Sequence, residues 1–367
     1  MSDAAPLSFR HIPHPAPVPG ESRAQALADP GFGKLFSDHM ALVEYDAEKG
    51  GWHDAVIAPR EPLTLDPACA VLHYAQEIFE GMKAYRQESG SLALFRPEEN
   101  ARRMNASARR MAMPEIPEDL FLESIQRLVA IDRDWFPTVN GGALYLRPFM
   151  FASEAFLGVR PAREYKFLVI ASPVGGYFKT GHNSVSIQVA KDHVRAAPGG
   201  TGAAKTGGNY AASLVPQAQA IADGHDQVVF LDAVERKWIE ELGGMNLFFV
   251  FEDGSIRTPP LTGTILPGIT RDSILTLART RGLDVAEEPY ALDQWREDAR
   301  SGRLTETFAC GTAAVVTPVG KVSSEDGDFS IGTGGTGQVT QSLRDELVGI
   351  QMGREPDRHG WIMKLEG

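Results

Sequence analysis

Residues 198–210, PGGTGAAKTGGNY, hold five glycines and one lysine, Lys205, in thirteen positions. Glycine lets the backbone come close to a ligand and tolerates positive φ. A lysine framed by such small neighbours can be aimed and partly desolvated. Desolvation disfavours the ammonium form, and a neutral amine is what a Schiff-base lysine must offer. The same composition also suits an ordinary solvated turn.

A second chemistry competes for this segment. Gly199–Thr206 nearly matches the phosphate-loop pattern G-x-x-x-x-G-K-[ST], with Ala204 where the second glycine belongs. VVFLD at 228–232 stands where the acidic strand end of a nucleotide hydrolase would be. That fold needs a helix starting at the lysine, and Gly207-Gly208 each weaken a helix start by about 1 kcal/mol. It also needs a buried strand ahead of the loop, and DHVRAAP is too polar for one. The nucleotide reading stays as the minor alternative.

Working outward, the pieces of a pyridoxal 5'-phosphate site are present: a phosphate cup, an acid for the ring nitrogen, a partner for the ring oxygen and a substrate pocket. In LPGITRDSILTLARTRG (266–282) an apolar stripe of Ile274, Leu277 and Ala278 predicts a helix closed by Gly282, with Thr270 as its N-cap residue. Free amides at such a helix start bind phosphate. ACGTAAVV (309–316) offers a second small-residue turn with the Thr312 hydroxyl, and Arg96 in LFRP offers a guanidinium. Glu241, before two glycines and an apolar strand, can hold a pyridine nitrogen protonated. Its neighbour Glu240 is expected to face solvent, because adjacent strand residues face opposite ways. Each of these features alone also fits an ordinary helix start, turn or surface charge.

The remaining chain is organised around both helix and strand periods. Residues 117–136 read as a helix with Phe121, Ile125, Leu128 and Val129 on one face, and 97–112 as another with Ala101, Met104, Ala108 and Met111. Val185, Ile187 and Val189 alternate as in a half-buried strand. Asn246–Phe251 and Ser255–Thr258 flank Asp253-Gly254 as in a hairpin. Phe167–Ile170 and Val228–Leu231 read as buried strands. The fold class is therefore α+β or mixed α/β in two domains: a small N-terminal domain over 1–172, an interdomain loop over the Pro/Gly-rich 173–183, and a larger cofactor-binding domain over 184–367. Residues 1–30 read as a loose arm, with four prolines in HIPHPAPVPG (11–20). IGTGGTGQ (331–338) reads as a surface loop.

Bulk composition narrows the function. The net charge of −12 gives no basic face for nucleic acid and no polybasic membrane patch. No apolar run reaches the roughly 18 residues of a membrane span, and the start has no signal-peptide h-region. Two distant cysteines, Cys69 and Cys310, read as reduced thiols of a cytoplasmic protein. No metal site is expected.

Nine ordered segments together resemble the branched-chain amino acid aminotransferases, the fold-type IV pyridoxal-phosphate enzymes: FSDHMALVEYD (36–46), LHYAQEIFEGMKAYR (72–86), LFRPEENARRM (94–104), ALYLRPFMF (143–151), SPVGGYF (172–178), VRAAPGGTGAAKTGGNYAAS (194–213), EELGGMNLF (240–248), LPGITRDSIL (266–275) and CGTAAVVTPVG (310–320). The resemblance implies Lys205 as the lysine carrying the cofactor. It implies Arg96, the amides of Ile269 and Thr270, and Thr312 as the phosphate cup. Glu241 becomes the partner of the pyridinium nitrogen and Tyr210 that of the ring oxygen. Phe79, Tyr145, Tyr177 and Tyr74 (reaching over from a second copy of the chain) become pocket walls. Arg147 meets the distal carboxylate of glutamate and Ala313 the substrate's α-carboxylate. The implied reaction moves an amino group between Leu, Ile or Val and 2-oxoglutarate, giving glutamate and 2-oxo acids, in a homodimer. A D-amino acid aminotransferase, an aminodeoxychorismate lyase and a non-catalytic scaffold are the rival readings. Two departures stand out. Many relatives carry Thr at the position of Gly244. Where some eukaryotic relatives carry a redox Cys-x-x-Cys, this chain has Ala314 and Thr317, so no thiol switch is expected there.

Overall fold

The computed structural model describes residues 7–139, 141–175 and 184–365. The chain divides into two compact units, residues 1–177 with 350–367, and residues 178–349. The C-terminal tail therefore belongs with the first unit and not, as the sequence suggested, with the second, and the two are of comparable length rather than small and large.

The first unit is a nine-stranded sheet. Its order is Arg10–His11, Gly51–Pro59, His39–Asp46, Glu164–Val174, Ala143–Ala152, Met82–Arg86, Leu92–Phe95 and Ile362–Lys364, with Glu77–Phe79 also on Ala143–Ala152. Strand alternation gives this sheet two apolar faces. Ala41, Val43, Phe167 and Val169 point into the main core, where the helices Pro97–Arg110 and Glu118–Ile131 bring Ala101, Met104, Phe121, Ile125, Leu128 and Val129. Met40, Leu168 and Phe151 lie in a second cluster with Leu42 and Val71. The arm expected to be loose is tied down: Arg10–His11 pairs in parallel with Val56–Ile57, the Val18 amide donates to Asp38, and Gly20–Leu27 is a helix. Its prolines lack donors, but the residues between them supply enough. At the far edge, Ile362–Lys364 covers Leu92–Phe95 in antiparallel register.

The second unit also has nine strands among the described residues. Its path runs Ile239–Leu242, Gln227–Leu231, Val185–Ala190, Val315–Ser323, Leu304–Gly311, Met245–Phe251, Ile256–Thr258 and Val285–Glu287, and Ile239–Leu242 pairs in addition with Met245–Phe251. That extra pairing closes six strands into a barrel and removes their edges. The core gathers Phe249, Tyr290 and Trp295, with the Phe249 ring 4.7 Å from Tyr290 and 5.2 Å from Trp295. The predicted hairpin is present, and Gly254 takes φ +81° in its turn.

Candidate active site

Lys205 sits on a loop that ends in a short helix, Gly207–Ala211, so the two glycines do not prevent helix formation as expected. The strand Val185–Ala190 does not run into the loop, since 191–198 carries no regular structure, and the phosphate-loop alternative loses its framework. The loop is held by Asn209, which sequence reasoning overlooked. Its buried amide donates to the carbonyls of Thr201 (2.8 Å) and Ala204 (2.9 Å), and its Oδ1 accepts from the Thr201 hydroxyl (2.8 Å). Lys205 Nζ, thus positioned, donates to the Tyr210 phenol oxygen at 3.1 Å.

Glu241 lies on the barrel strand Ile239–Leu242, 1% exposed. Its Oε1 accepts from the Leu266 amide (3.1 Å) and forms an ion pair with Arg195 Nη1 (2.9 Å). Burial pushes the carboxyl up to about 7; the Arg195 guanidinium and then the Leu266 amide pull against that. Glu240 is not the exposed glutamate that strand alternation suggested. It is buried and accepts from the Thr264 hydroxyl, because the barrel covers one face of the strand and the loop carrying Thr264 covers the other.

The phosphate-type donors sit in the same unit. The helix is Ile269–Thr280, with Gly268 rather than Thr270 as N-cap, which puts the Ile269 and Thr270 amides at the first two helical positions. Those amides have no acceptor within the helix. The Pro267-Gly268 turn is docked on buried Asn246, whose Nδ2 donates to Leu266 O at 3.0 Å. A Cβ on Gly268 would stand 2.1 Å from Asn246 Oδ1. Gly268→Ala is therefore expected to destabilise the protein by about 1–3 kcal/mol; an unchanged urea midpoint would count against this tight docking. Thr312 and Ala313 fall in the turn between Leu304–Gly311 and Val315–Ser323, where Val315 holds φ +62°. Strand pairing sets this turn beside Gly243-Gly244: Asn246 faces Cys310, and a Cβ on Gly311 would touch Met245. A Cβ on Gly244 would lie 3.4 Å from the Tyr210 ring, so Gly244 borders that phenol. Cys310 is buried and its thiol is pushed up to about 12, which makes it inert.

Phe79, Tyr145 and Arg147 come together in the first unit. Tyr145 and Arg147 share a face of Ala143–Ala152, and Arg147 Nη2 donates to the Tyr145 hydroxyl at 3.1 Å. The guanidinium lies 4.8 Å from the Phe79 ring centre and 5.5 Å from that of Tyr145. Gly81 makes room for this ring, since a Cβ there would meet the Tyr145 hydroxyl at 2.2 Å. Opposite Tyr145 across the strand pair stands Lys83, unremarked in the sequence, whose ammonium burial pulls down to about 8. Tyr74 ends the helix Ala70–Tyr74 and is 38% exposed. Tyr177 lies outside the described residues.

Arg96 departs from the expectation of a phosphate ligand. It is the N-cap of Pro97–Arg110 at φ +50°, with its guanidinium over the Trp361 ring at 5.1 Å. The buried arginine of that helix is Arg103, and sequence reasoning missed it. Its Nε and Nη2 grip Glu80, itself 0% exposed, at 2.7 and 2.8 Å. Asn100 Nδ2 adds a third donor to the same carboxylate at 2.7 Å.

The chain is similar to proteins of known family. Residues 77–322 match the family model described as amino-transferase class IV. The branched-chain-amino-acid aminotransferase of Mycolicibacterium smegmatis is 53% identical over 367 residues, 99% of this chain and 100% of that protein. Among solved structures, the branched-chain amino acid aminotransferase of Escherichia coli has TM-score 0.75 at 28% identity, covering 90% of this chain and 99% of its own. A T.th. branched-chain amino acid aminotransferase complexed with N-(5'-phosphopyridoxyl)-L-glutamate has TM-score 0.72 at 28% identity, covering 89% and 99%.

Proposed function

The chain belongs to the class IV aminotransferases, and we propose that Lys205 is the amine on which its reaction turns. It is a pyridoxal-phosphate-dependent branched-chain amino acid aminotransferase, moving an amino group between Leu, Ile or Val and 2-oxoglutarate. The observation that carries the site assignment is the grouping of Lys205, Tyr210 and buried Glu241 in one unit. The donor chemistry fits the cofactor: an amine, a phenol, a buried carboxylate and a helix start whose first two amides find no acceptor within the helix. When bound, the cofactor supplies an electron-withdrawing ring that makes the substrate's α-C–H acidic.

The residues then divide the work. Glu241 would hold a proton on the ring nitrogen. Tyr210 holds the ring oxygen. The Ile269 and Thr270 amides and the Thr312 hydroxyl hold phosphate. For the cup's guanidinium we favour Arg103 over Arg96, because Glu80 orients Arg103 while Arg96 packs on Trp361. Lys205 takes the proton from the substrate's α-carbon, a general-base role. The Tyr210 hydroxyl within hydrogen-bond reach keeps the amine aimed.

For the substrate, we assign Phe79, Tyr145 and Tyr177 to the aliphatic side chain, Ala313 to the α-carboxylate, and Arg147 to the distal carboxylate of glutamate. Arg147 Nε is buried without a partner among the described residues, which supports a ligand for this group. We also propose a homodimer to which Tyr74 contributes across the interface. Leu72 (58% exposed), Leu157 (72%) and Val159 (93%) are exposed apolar residues on the segments of Tyr74 and Phe156, whose rings lie 6.4 Å apart, which supports cover by a second copy. No helix among the described residues is long and apolar enough to cross a membrane. Two buried free thiols, Cys69 and Cys310, support a cytoplasmic setting.

A substrate panel with 2-oxoglutarate as acceptor tests the activity. Leu, Ile and Val should all be turned over, since one methylene changes binding by only about 1–3 kcal/mol. Preference for D-alanine would sink the assignment. Arg147→Ala is expected to lower kcat/KM for 2-oxoglutarate about 10- to 100-fold, and that for leucine about threefold or less, because a charged hydrogen bond is lost for one substrate only. Equal losses for both substrates would remove Arg147 from this role.

A further inference from the structure

Arg195 stands ten residues before Lys205, 4% exposed, in a segment without regular structure. Its Nη1 meets three different parts of the second unit at once. It pairs with Glu241 Oε1 at 2.9 Å, donates to the Thr264 carbonyl at 2.9 Å, and reaches the Gly202 carbonyl at 3.4 Å. Gly202 belongs to the lysine loop, Glu241 to the acid strand, and Thr264 to the segment leading into the phosphate-type helix. The approach is close: a Cβ on Gly202 would stand 2.5 Å from Thr264 O and 2.7 Å from the Ala196 Cβ.

We propose that Arg195 is a positioning residue that keeps Glu241 ionised and aimed at the ring nitrogen, and that fixes the lysine loop against the phosphate segment. The proposal rests on the role given above to Glu241. Stability alone does not call for such a pair, because a buried ion pair is often no more stabilising than an apolar pair of similar volume. A buried acid does need it. With burial driving the Glu241 carboxyl up to about 7, the facing positive charges are Arg195 and Lys205, while Glu240 on the same strand acts the opposite way, and Cys310 is held as a neutral thiol. Without Arg195 the carboxyl rises further and is neutral at working pH, and a neutral acid no longer favours a proton on the pyridine. The sign follows: a raised acid pKa means that the ionised form is lost as pH falls through it, so the acid limb of the rate profile moves to higher pH.

The test compares Arg195→Met, Arg195→Lys, Glu241→Gln and the double variant Glu241→Gln/Arg195→Met as holoenzymes. Arg195→Met is expected to lower kcat about 10- to 100-fold, with KM for leucine changed threefold or less. It should also move both the acid limb of kcat and the pH titration of the bound cofactor's absorbance upward by a unit or more. Arg195→Lys, which keeps the charge, should recover at least tenfold. The double variant leaves no buried charge unpaired, so it folds even where Arg195→Met does not, and it should be no slower than Glu241→Gln alone. Unmoved absorbance and rate profiles in Arg195→Met with only a lower melting temperature, or losses that multiply in the double variant, would overturn the proposal. Wild-type kcat and cofactor affinity in Glu241→Gln would instead overturn the underlying role of Glu241, a separate result.

Discussion

Replacing Lys205 by alanine is expected to leave a folded protein whose leucine transamination is about 10⁴-fold slower. The loop around Lys205 does not depend on the amine for its shape. Asn209 bonds it to itself at Thr201 and Ala204, and Ala204 is buried beneath it. Alanine removes the amine's hydrogen bond to the Tyr210 hydroxyl and leaves those Asn209 bonds in place. The melting temperature should therefore move by a few degrees at most. Turnover with leucine and 2-oxoglutarate, measured beside a thermal melt, separates the two effects. A variant within tenfold of wild type would show that another group moves the α-proton, and the assignment of Lys205 would be lost.

Breaking the Arg103–Glu80 pair should have the largest effect on stability. Arg103→Ala takes the two guanidinium bonds away from a carboxylate that is 0% exposed. The expected loss is about 3–5 kcal/mol, read from urea unfolding. Glu80→Leu/Arg103→Met removes both charges and should fall within about 1 kcal/mol of wild type. If the single and double variants are equally unstable, the site matters for its volume and not for its charges. The same experiments weigh the two arginines. Arg103→Lys, which keeps the charge but loses the fork, should weaken cofactor binding, whereas Arg96→Ala, which loses the stacking on Trp361, should leave it unchanged. Weaker cofactor binding in Arg96→Ala with none in Arg103→Lys would return the phosphate to Arg96.

The reasons the sequence does not separate these arginines are physical. Arg102 and Arg103 are neighbours in one helix, yet 55% and 9% of their side chains are exposed. Composition does not distinguish them; only the helix's rotation against Glu80 does. The helices themselves are legible, because Phe121, Ile125, Leu128 and Val129 repeat at helical spacing and all become core. Lys205 draws notice in the sequence because its glycines are so dense, and folding sets its amine beside Tyr210. Arg195 and Asn209 are not legible, since their partners are carbonyls, one carboxylate and one hydroxyl that the chain brings together only on folding. Glu240 escapes for a related reason. Alternation along a strand tells which residues oppose each other, but the barrel closing over one face and the Thr264 loop covering the other are long-range events. The arm expected over 1–30 looks loose because prolines signal missing donors and say nothing of the sheet edge offered by Val56 and Ile57.

The strand Ile362–Lys364 has a consequence for how the polypeptide matures. A growing chain leaves the ribosome from its amino end, so the edge at Leu92–Phe95 emerges long before the three residues that shield it, with the whole second unit synthesised in between. Throughout that interval the nascent protein carries an open, fully apolar Leu92–Phe95 ribbon, the kind of edge that recruits chaperones or sticks to its neighbours.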